Sequence, residues 1–141
     1  MAQKDKDLLL KDLCGRIMYG VKCTVYEDAS VYTLSGVLPD YIYKELYFGE
    51  LDWKECDGFA DVQYCKPYLF PLSSMTEEQK QEYTYIVNYI SSDDTENWKE
   101  GEFIYVEQFT QLMHFYHINH LDYMGLIPMG LAIDATGKNI Y

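Results

Sequence analysis

The sequence predicts an α+β domain in which a small, mainly antiparallel sheet is combined with about three helices. Near residue 20 the spacing of apolar residues changes from the helical period of 3.6 to the alternating period of a strand. The strand-rich region ends at two prolines within 67–71, an expected extended connector, after which helical spacing returns. The sheet could curl into a partly closed barrel, and residues 1–141 are expected to form a single domain.

The first predicted helix covers residues 5–14, and Gly15 is expected to end it. Its expected apolar side consists of Leu9, Leu10, Leu13 and Cys14. Strands rich in β-branched and aromatic residues are predicted for 21–26, 31–38, 41–49 and 59–65. Turn-forming residues separate these runs, which favours antiparallel neighbours.

A second helix is predicted for residues 76–90. Ser74 with Glu77, and Thr76 with Gln79, both have the spacing of a capping box, in which two side chains satisfy free N–H groups at a helix start. The apolar stripe of this helix consists of Tyr83, Ile86, Val87 and Ile90. Their i, i+3, i+4, i+7 spacing predicts burial of one side.

Residues 91–102 are predicted to be a polar, acidic loop, followed by a short strand at 103–106. The loop does not match a calcium-binding loop. Trp98 occupies the sixth position, where such loops need glycine, and Ile104 occupies the twelfth, where they need glutamate.

All three histidines, His114, His117 and His120, lie in the third predicted helix, residues 107–120. Its predicted apolar face consists of Phe109, Leu112, Met113 and Tyr116. At about 100° per residue, His120 returns to that face, His117 lies at its edge and His114 points to solvent. Because the three rings diverge, we expect the end of a helix here, with no metal site and no bound cofactor.

The chain is acidic, with a formal net charge of −12, and it contains 15 tyrosines. An acidic surface repels phosphate groups, so direct binding to a nucleic-acid backbone or to an anionic membrane is disfavoured. A protein that imitates nucleic acid would need its acids clustered on one face. Here 23 acids are spread along the chain, with a mild concentration at 93–102, and solubility is the simpler explanation.

Neither a secretory signal nor a membrane span is predicted. The apolar run near the start is three leucines long, and the uncharged run 124–133 is short and contains Pro128. We therefore expect a cytoplasmic protein. The four cysteines include no C-x-x-C pair and are expected to be free thiols in a reducing compartment.

Two classes of function stay open. The chain has no phosphate-binding glycine loop, no H-E-x-x-H and no G-x-S-x-G, which favours a non-enzymatic interaction protein acting through protein contacts. The alternative is a small enzyme with an unmarked active site that uses His117 or His120. A Cys–His pair with Cys14 or Cys65 has no local signature.

An interaction protein would be expected to use its aromatic side chains, since tyrosine and tryptophan are favoured at binding hot spots. The candidate partner-binding residues are Tyr68, Phe70, Trp98 and Met124. The partner would be another protein, and the sequence leaves both a monomer and a homo-oligomer open.

Three stretches carry a resemblance to a known family: LLLKDLCGRIMYGVK (8–22), KPYLFPLSSMTEEQKQEY (66–83) and HLDYMGLIPMGLAIDA (120–135). Together they resemble a family of small uncharacterised proteins that recurs in gut Bacteroides genomes and in their phages or mobile elements. The resemblance spans nearly the whole chain and implies a setting without an activity. Where that family commonly has arginine, this chain has Phe70 and Met124, which weakens an anion site at those positions.

The apolar segment 124–133 is too apolar for a free tail and too rich in glycine and proline for a helix. It is predicted to pack against the domain as an extended segment. Residues 136–141 are predicted to be loose, so their deletion should be tolerated.

Overall fold

The computed structural model of the protein describes residues 1–26, 30–37, 45–48, 59–91 and 98–141. Within these ranges the α-helices are α1 (Gln3–Arg16), α2 (Glu77–Ser91) and α3 (Trp98–Ile118). The strands are β1 (Lys22–Val25), β2 (Tyr32–Val37), β3 (Glu45–Phe48), β4 (Phe59–Asp61), β5 (Cys65–Leu69) and β6 (Ile133–Asp134). None of the helices described here has the length and hydropathy needed to cross a membrane.

The strands form a mixed sheet in the order β4-β3-β2-β1-β5-β6. All neighbours are antiparallel except β5 and β6, which are parallel. The predicted α+β class with a mainly antiparallel sheet is therefore confirmed. In the described part of the chain the sheet is open, with β4 and β6 at its edges, so it gives the expected barrel no support.

The first predicted strand, 21–26, is observed as the shorter β1. Strands β2 and β3 lie within the predicted runs 31–38 and 41–49, of which residues 38, 41–44 and 49 lie outside the described ranges. The fourth predicted strand is interrupted. A 3-10 turn at Val62–Tyr64 separates β4 from β5, so the run predicted as one strand at 59–65 contributes to two. The expected extended connector at 67–71 is extended, but its first part belongs to the sheet, because Pro67 pairs with Cys23 of β1. A proline has a fixed φ that suits a strand, and only its missing N–H limits where it can pair.

The main hydrophobic core lies between α1 and the central strands. It consists of Leu9, Leu13, Val21, Cys23, Val25, Leu34, Val62, Cys65, Leu69, Leu126, Leu131 and Ala132. A second cluster joins α2 to α3, and its described buried members are Ile86, Phe115 and Leu121. Each fully buried aliphatic or aromatic side chain contributes about 1.5–3 kcal/mol relative to an exposed one, so both clusters stabilise the fold.

Helix α1 is longer than predicted, and its buried side is different. The helix continues through Gly15 to Arg16, and Cys14, which we expected to be buried, is exposed. The buried stripe contains Leu9 and Leu13, as predicted, but it also contains Asp12 and Arg16. Charged residues are ordinarily found on the solvent side of a helix, so the predicted stripe did not include Asp12 and Arg16.

The start of α2 agrees with the capping-box prediction, and the structure identifies which of the two boxes forms. The Thr76 amide donates to Gln79 Oε1 over 2.9 Å, and the Gln79 amide donates to Thr76 Oγ1 over 3.2 Å. Ser74 instead donates its hydroxyl to the carbonyl of Pro71. From the predicted stripe, Ile86 is buried.

The predicted strand at 103–106 is wrong, because these residues belong to α3. A run of four aromatic and β-branched residues favours a strand only weakly, since β-propensity depends strongly on context. Continuous helical hydrogen bonding through a 21-residue helix outweighs it here. The same helix also takes in residues 98–102 of the predicted loop, whereas residues 92–97 lie outside the described ranges.

The segment 124–133 is packed against the core as predicted, but only its end, Ile133 of β6, is extended, and the residues before it form turns. Leu126 and Leu131 are buried, and Gly125 and Gly130 adopt left-handed conformations that turn the chain. Turns of this kind require φ values near +70°, which glycine adopts without strain.

The predicted loose end at 136–141 is also wrong, because Tyr141 is anchored to the sheet. Its hydroxyl accepts a hydrogen bond from the Lys22 amide over 2.9 Å and donates one to the Tyr68 carbonyl over 2.7 Å. The hydroxyl therefore bridges β1 and β5. The sequence could not show this, since the three residues are far apart in the chain.

We predict that Tyr141→Phe lowers the free energy of unfolding by about 1–3 kcal/mol, because the Lys22 amide and the Tyr68 carbonyl lose their shared partner. Urea unfolding measures the change. Tyr26→Phe is the matched control: Tyr26 is 63% exposed, and its change should stay within about 0.5 kcal/mol. Equal stability of both variants and the wild type would support a loose end instead.

Candidate functional site

A buried ion pair lies within the last turns of α1, next to the residues that follow α3. The Arg16 Nε donates to Asp12 Oδ2 over 2.7 Å, and neither side chain is exposed to solvent. Burial raises the pKa of the Asp12 carboxyl, and the hydrogen bond and charge of Arg16 oppose that shift. Because both side chains are removed from water, the charge of either one would be strongly unfavourable without the opposite charge of the other.

Arg16 also reaches across to the segment that follows α3. Its Nη2 donates to the Leu121 carbonyl over 2.7 Å, and its guanidinium carbon lies 5.1 Å from the centre of the Tyr123 ring. The first contact satisfies a buried backbone carbonyl, and the second is within the range of a cation–π interaction. One side chain thus fixes the position of α1 relative to residues 121–123.

The turn that begins at Asp122 is stabilised by the Asp122 carboxylate. The amides of Leu126 and Ile127 donate to its two oxygens, each over 2.8 Å. Hydrogen bonds from backbone amides to a carboxylate are stronger than those between neutral groups. The turn therefore places Leu126 in the main core and Tyr123 beneath α3.

We predicted that His117 lies at the edge of the apolar face of α3. It is instead buried, with 6% of its surface exposed. Its Nε2 lies 3.0 Å from the Tyr123 hydroxyl, within hydrogen-bond distance. Burial, and then the charges of Arg16 and His114, lower the pKa of His117 to about 4. The ring is therefore neutral near pH 7.

Gly15 is the residue that lets α1 approach this ring. A Cβ atom at position 15 would lie 2.9 Å from Cε1 of His117, which is closer than Cβ atoms in proteins come to other heavy atoms. A glycine within a helix is unfavourable by about 1 kcal/mol relative to alanine. The close approach of the His117 ring explains why glycine occupies this helical position. Gly15 is therefore not a helix stop.

His114 is exposed, as predicted, and it contacts the short 3-10 turn Ile17–Tyr19 that follows α1. The Tyr19 hydroxyl lies 3.0 Å from His114 Nδ1. The Tyr19 ring also contacts the rings of both His114 and His117, with centroids 5.5 and 5.3 Å away. Tyr19 is therefore held against two successive turns of α3.

We predicted that His120 returns to the apolar face of α3. It lies instead beyond the end of that helix. It has a left-handed φ of 53°, and its ring stacks on Tyr141 with centroids 3.7 Å apart. Burial, and then the charges of Arg16 and Lys22, lower the pKa of His120 to about 4. His120 is thus separated from the other two histidines by a change in chain direction.

The predicted apolar face of α3 is only partly right, because the helix is covered on two sides. Phe109 is 56% exposed, whereas Phe115, which we did not include, is buried against Tyr83 of α2. On another side, His117 lies against α1. Periodicity assumes a single buried stripe, and it fails for a helix with two neighbours.

Within the described ranges, no three histidine, cysteine or acidic side chains are grouped so that they could hold a metal ion. His114 and His117 lie next to different tyrosine hydroxyls, and His120 lies outside the helix.

A cleft of about 540 Å³ lies where α1, α2 and α3 meet. Its lining residues include the apolar Ile86 and Met113, the aromatic Tyr19, Tyr85, His114 and His117, and the acidic Glu82. Ile86 and His117 are buried, whereas Glu82, Tyr85 and His114 are exposed. The cleft therefore combines a mainly apolar interior with a few polar groups, as ligand-binding sites do.

Three of the candidate partner-binding residues from the sequence, Tyr68, Phe70 and Met124, do not line this cleft. Tyr68 is buried in β5, and Met124 is exposed in the turn after α3. Phe70 lines a smaller cleft of about 320 Å³ together with His120. The side chain of Trp98 lies outside the described residues.

Gly15, Tyr19 and Glu82 were not predicted from the sequence as members of a site. Gly15 carried a usable signal, because a glycine next to a helical stripe can mark a close approach as well as a stop. Tyr19 and Glu82 carried none, since fifteen tyrosines and 23 acids make each one ordinary.

No model of a protein family, no curated protein and no solved structure matches this chain.

We predict that Gly15→Ala lowers the free energy of unfolding by about 1–2 kcal/mol, although alanine normally favours a helix by about 1 kcal/mol. The His117 ring cannot easily move, because Tyr19 and Tyr123 hold it. In a His117→Ala background the same change should be neutral or stabilising. Urea unfolding of the four proteins measures this cycle, and a stabilising Gly15→Ala in the wild-type background would refute the close contact.

Proposed function

We propose that the protein is a non-enzymatic interaction protein of a bacterial or phage genome, that it acts in the cytoplasm, and that it binds a partner protein in the cleft between α1, α2 and α3. The single observation that carries this proposal is the cleft itself. Its lining combines buried apolar surface from Ile86 with exposed tyrosine and polar groups. Protein–protein contacts are strongest where an aromatic or apolar centre is surrounded by polar groups.

The rigidity of the cleft supports the same proposal. Tyr19 is held by His114, and His117 is held by Tyr123, each at 3.0 Å. A preformed surface binds more tightly than a flexible one, because less side-chain entropy is lost on association. Tyr85, which is 69% exposed, adds a large aromatic surface beside the cleft.

A small enzyme that uses His117 or His120 is the alternative. One observation favours it for His117, which lines the cleft and is neutral near pH 7 because its pKa is lowered to about 4. A neutral imidazole can accept a proton. However, its Nε2 already lies next to the Tyr123 hydroxyl, and His120 lines the smaller cleft. A metabolite extract that is changed by the wild type but not by His117→Asn protein would favour the enzyme.

The proposal is tested by filling the cleft with one substitution. Thr110 is exposed in α3 and lines the cleft, whereas Thr84 is exposed in α2 and does not. We predict that Thr110→Trp blocks partner binding and that Thr84→Trp, the matched control, does not. Proteins captured from bacterial lysate by the wild type and both variants are compared by quantitative mass spectrometry.

The expected result is a captured protein that is reduced about tenfold or more with Thr110→Trp and unchanged with Thr84→Trp, as expected for loss of a hot-spot contact. Circular dichroism and the melting temperature of both variants establish that they are folded. If folded Thr110→Trp captures the same proteins as the wild type in the same amounts, the cleft is not the binding surface.

A further inference from the structure

We propose that the cleft receives the side chain of a lysine or arginine of the partner, with the apolar stem against Ile86 and Met113 and the cationic head beside Glu82 and the tyrosine rings. This rests on the proposed function, in which the cleft is the partner-binding surface. It adds the chemistry of the group that binds.

The composition of the cleft fits a side chain with an apolar stem and a polar end. Met113 is half-buried and presents aliphatic surface to the cleft, whereas Ile86, which is 6% exposed, contributes only a small part of its floor. Glu82 and Tyr85 lie on the exposed surface of α2, within one turn of Ile86. Lysine and arginine bury their methylene groups on apolar surface and keep their charged ends near solvent.

The charge of the cleft favours a cation. Among its described lining residues none is a lysine or an arginine, and Glu82 is the one carboxylate. His117 adds no positive charge near pH 7, because burial and the charge of Arg16 lower its pKa to about 4. The whole chain has a formal net charge of −12, which attracts a cationic partner over longer distances.

The aromatic residues add a second, independent preference for a cation. Tyr19 and Tyr85 both line the cleft, and the faces of tyrosine rings attract ammonium and guanidinium groups. Tyr19 is fixed in place by its contacts with His114 and His117, so its ring does not need to be ordered when a ligand binds. An anionic side chain would not be attracted by the faces of these rings and would be repelled by Glu82.

Three small probes with the same chain length separate these preferences: hexylammonium, hexanol and hexanoate. Each is titrated into the full-length protein at pH 7.5, and the ring resonances of His114 and His117 are followed by NMR. We expect hexylammonium to bind about tenfold more tightly than hexanol, and hexanoate to bind more weakly than hexanol. Millimolar dissociation constants are sufficient, because chemical shifts detect weak binding.

Glu82→Gln should reduce the preference for hexylammonium over hexanol to about threefold or less, since the cation–π contribution remains. The matched control is Glu78→Gln. Glu78 is exposed one helical turn before Glu82 and does not line the cleft, so this variant changes the net charge equally. It should keep the wild-type preference.

Each other outcome overturns one defined claim. If hexanol or hexanoate binds as tightly as hexylammonium, the cleft binds ligands but the cationic side chain is refuted. If Glu78→Gln and Glu82→Gln weaken hexylammonium equally, the preference comes from net charge and the assigned site is wrong. If none of the probes shifts the histidine resonances, the cleft fails as a binding surface and the proposed function fails with it.

Discussion

The buried ion pair between Asp12 and Arg16 is the interaction on which the position of α1 relative to the end of α3 depends. It forms within one helix, but its function is to present the guanidinium of Arg16 to a distant segment. Through Leu121 and Tyr123, Arg16 connects the first helix to the chain that follows the third. One Asp12 oxygen and one Arg16 nitrogen find no partner among the described residues, so the pair is not fully compensated. Such a pair specifies an arrangement more than it adds net stability.

The cleft is a consequence of this connection. Once Arg16 holds α1 against the end of α3, Gly15 faces His117, and Tyr19 is placed beside both His114 and His117. Helix α2 closes the other side through the packing of Ile86 and Tyr83 with Phe115. The residues that line the cleft therefore come from three segments of the chain. Tyr19, His114 and His117 hold one another within the cleft, whereas Ile86 is held from outside it by Phe115.

The parts of the fold that depend on local patterns could be predicted from the sequence. Strands near β1 and β2 and the Thr76–Gln79 capping box follow from alternation and from the spacing of two side chains. The extent of α3 could not be predicted, because a four-residue aromatic run resembles a strand until the helix around it is known. The anchoring of Tyr141 and the burial of Arg16 depend on contacts between residues distant in sequence, and neither composition nor periodicity predicts such contacts. For the same reason the cleft was missed, although the buried Leu9 and Leu13 of α1 were identified.

The most direct test of this account is the free energy of unfolding of Arg16→Met compared with that of Lys80→Met. Lys80 forms an exposed ion pair with Glu77 over 3.1 Å, which provides the control for removing a charge from a helix. We predict a loss of about 3–5 kcal/mol for Arg16→Met, because Asp12 is left buried without its partner. Lys80→Met should change stability by less than about 1 kcal/mol. A loss for Arg16→Met as small as that for Lys80→Met would contradict the central role of the buried pair.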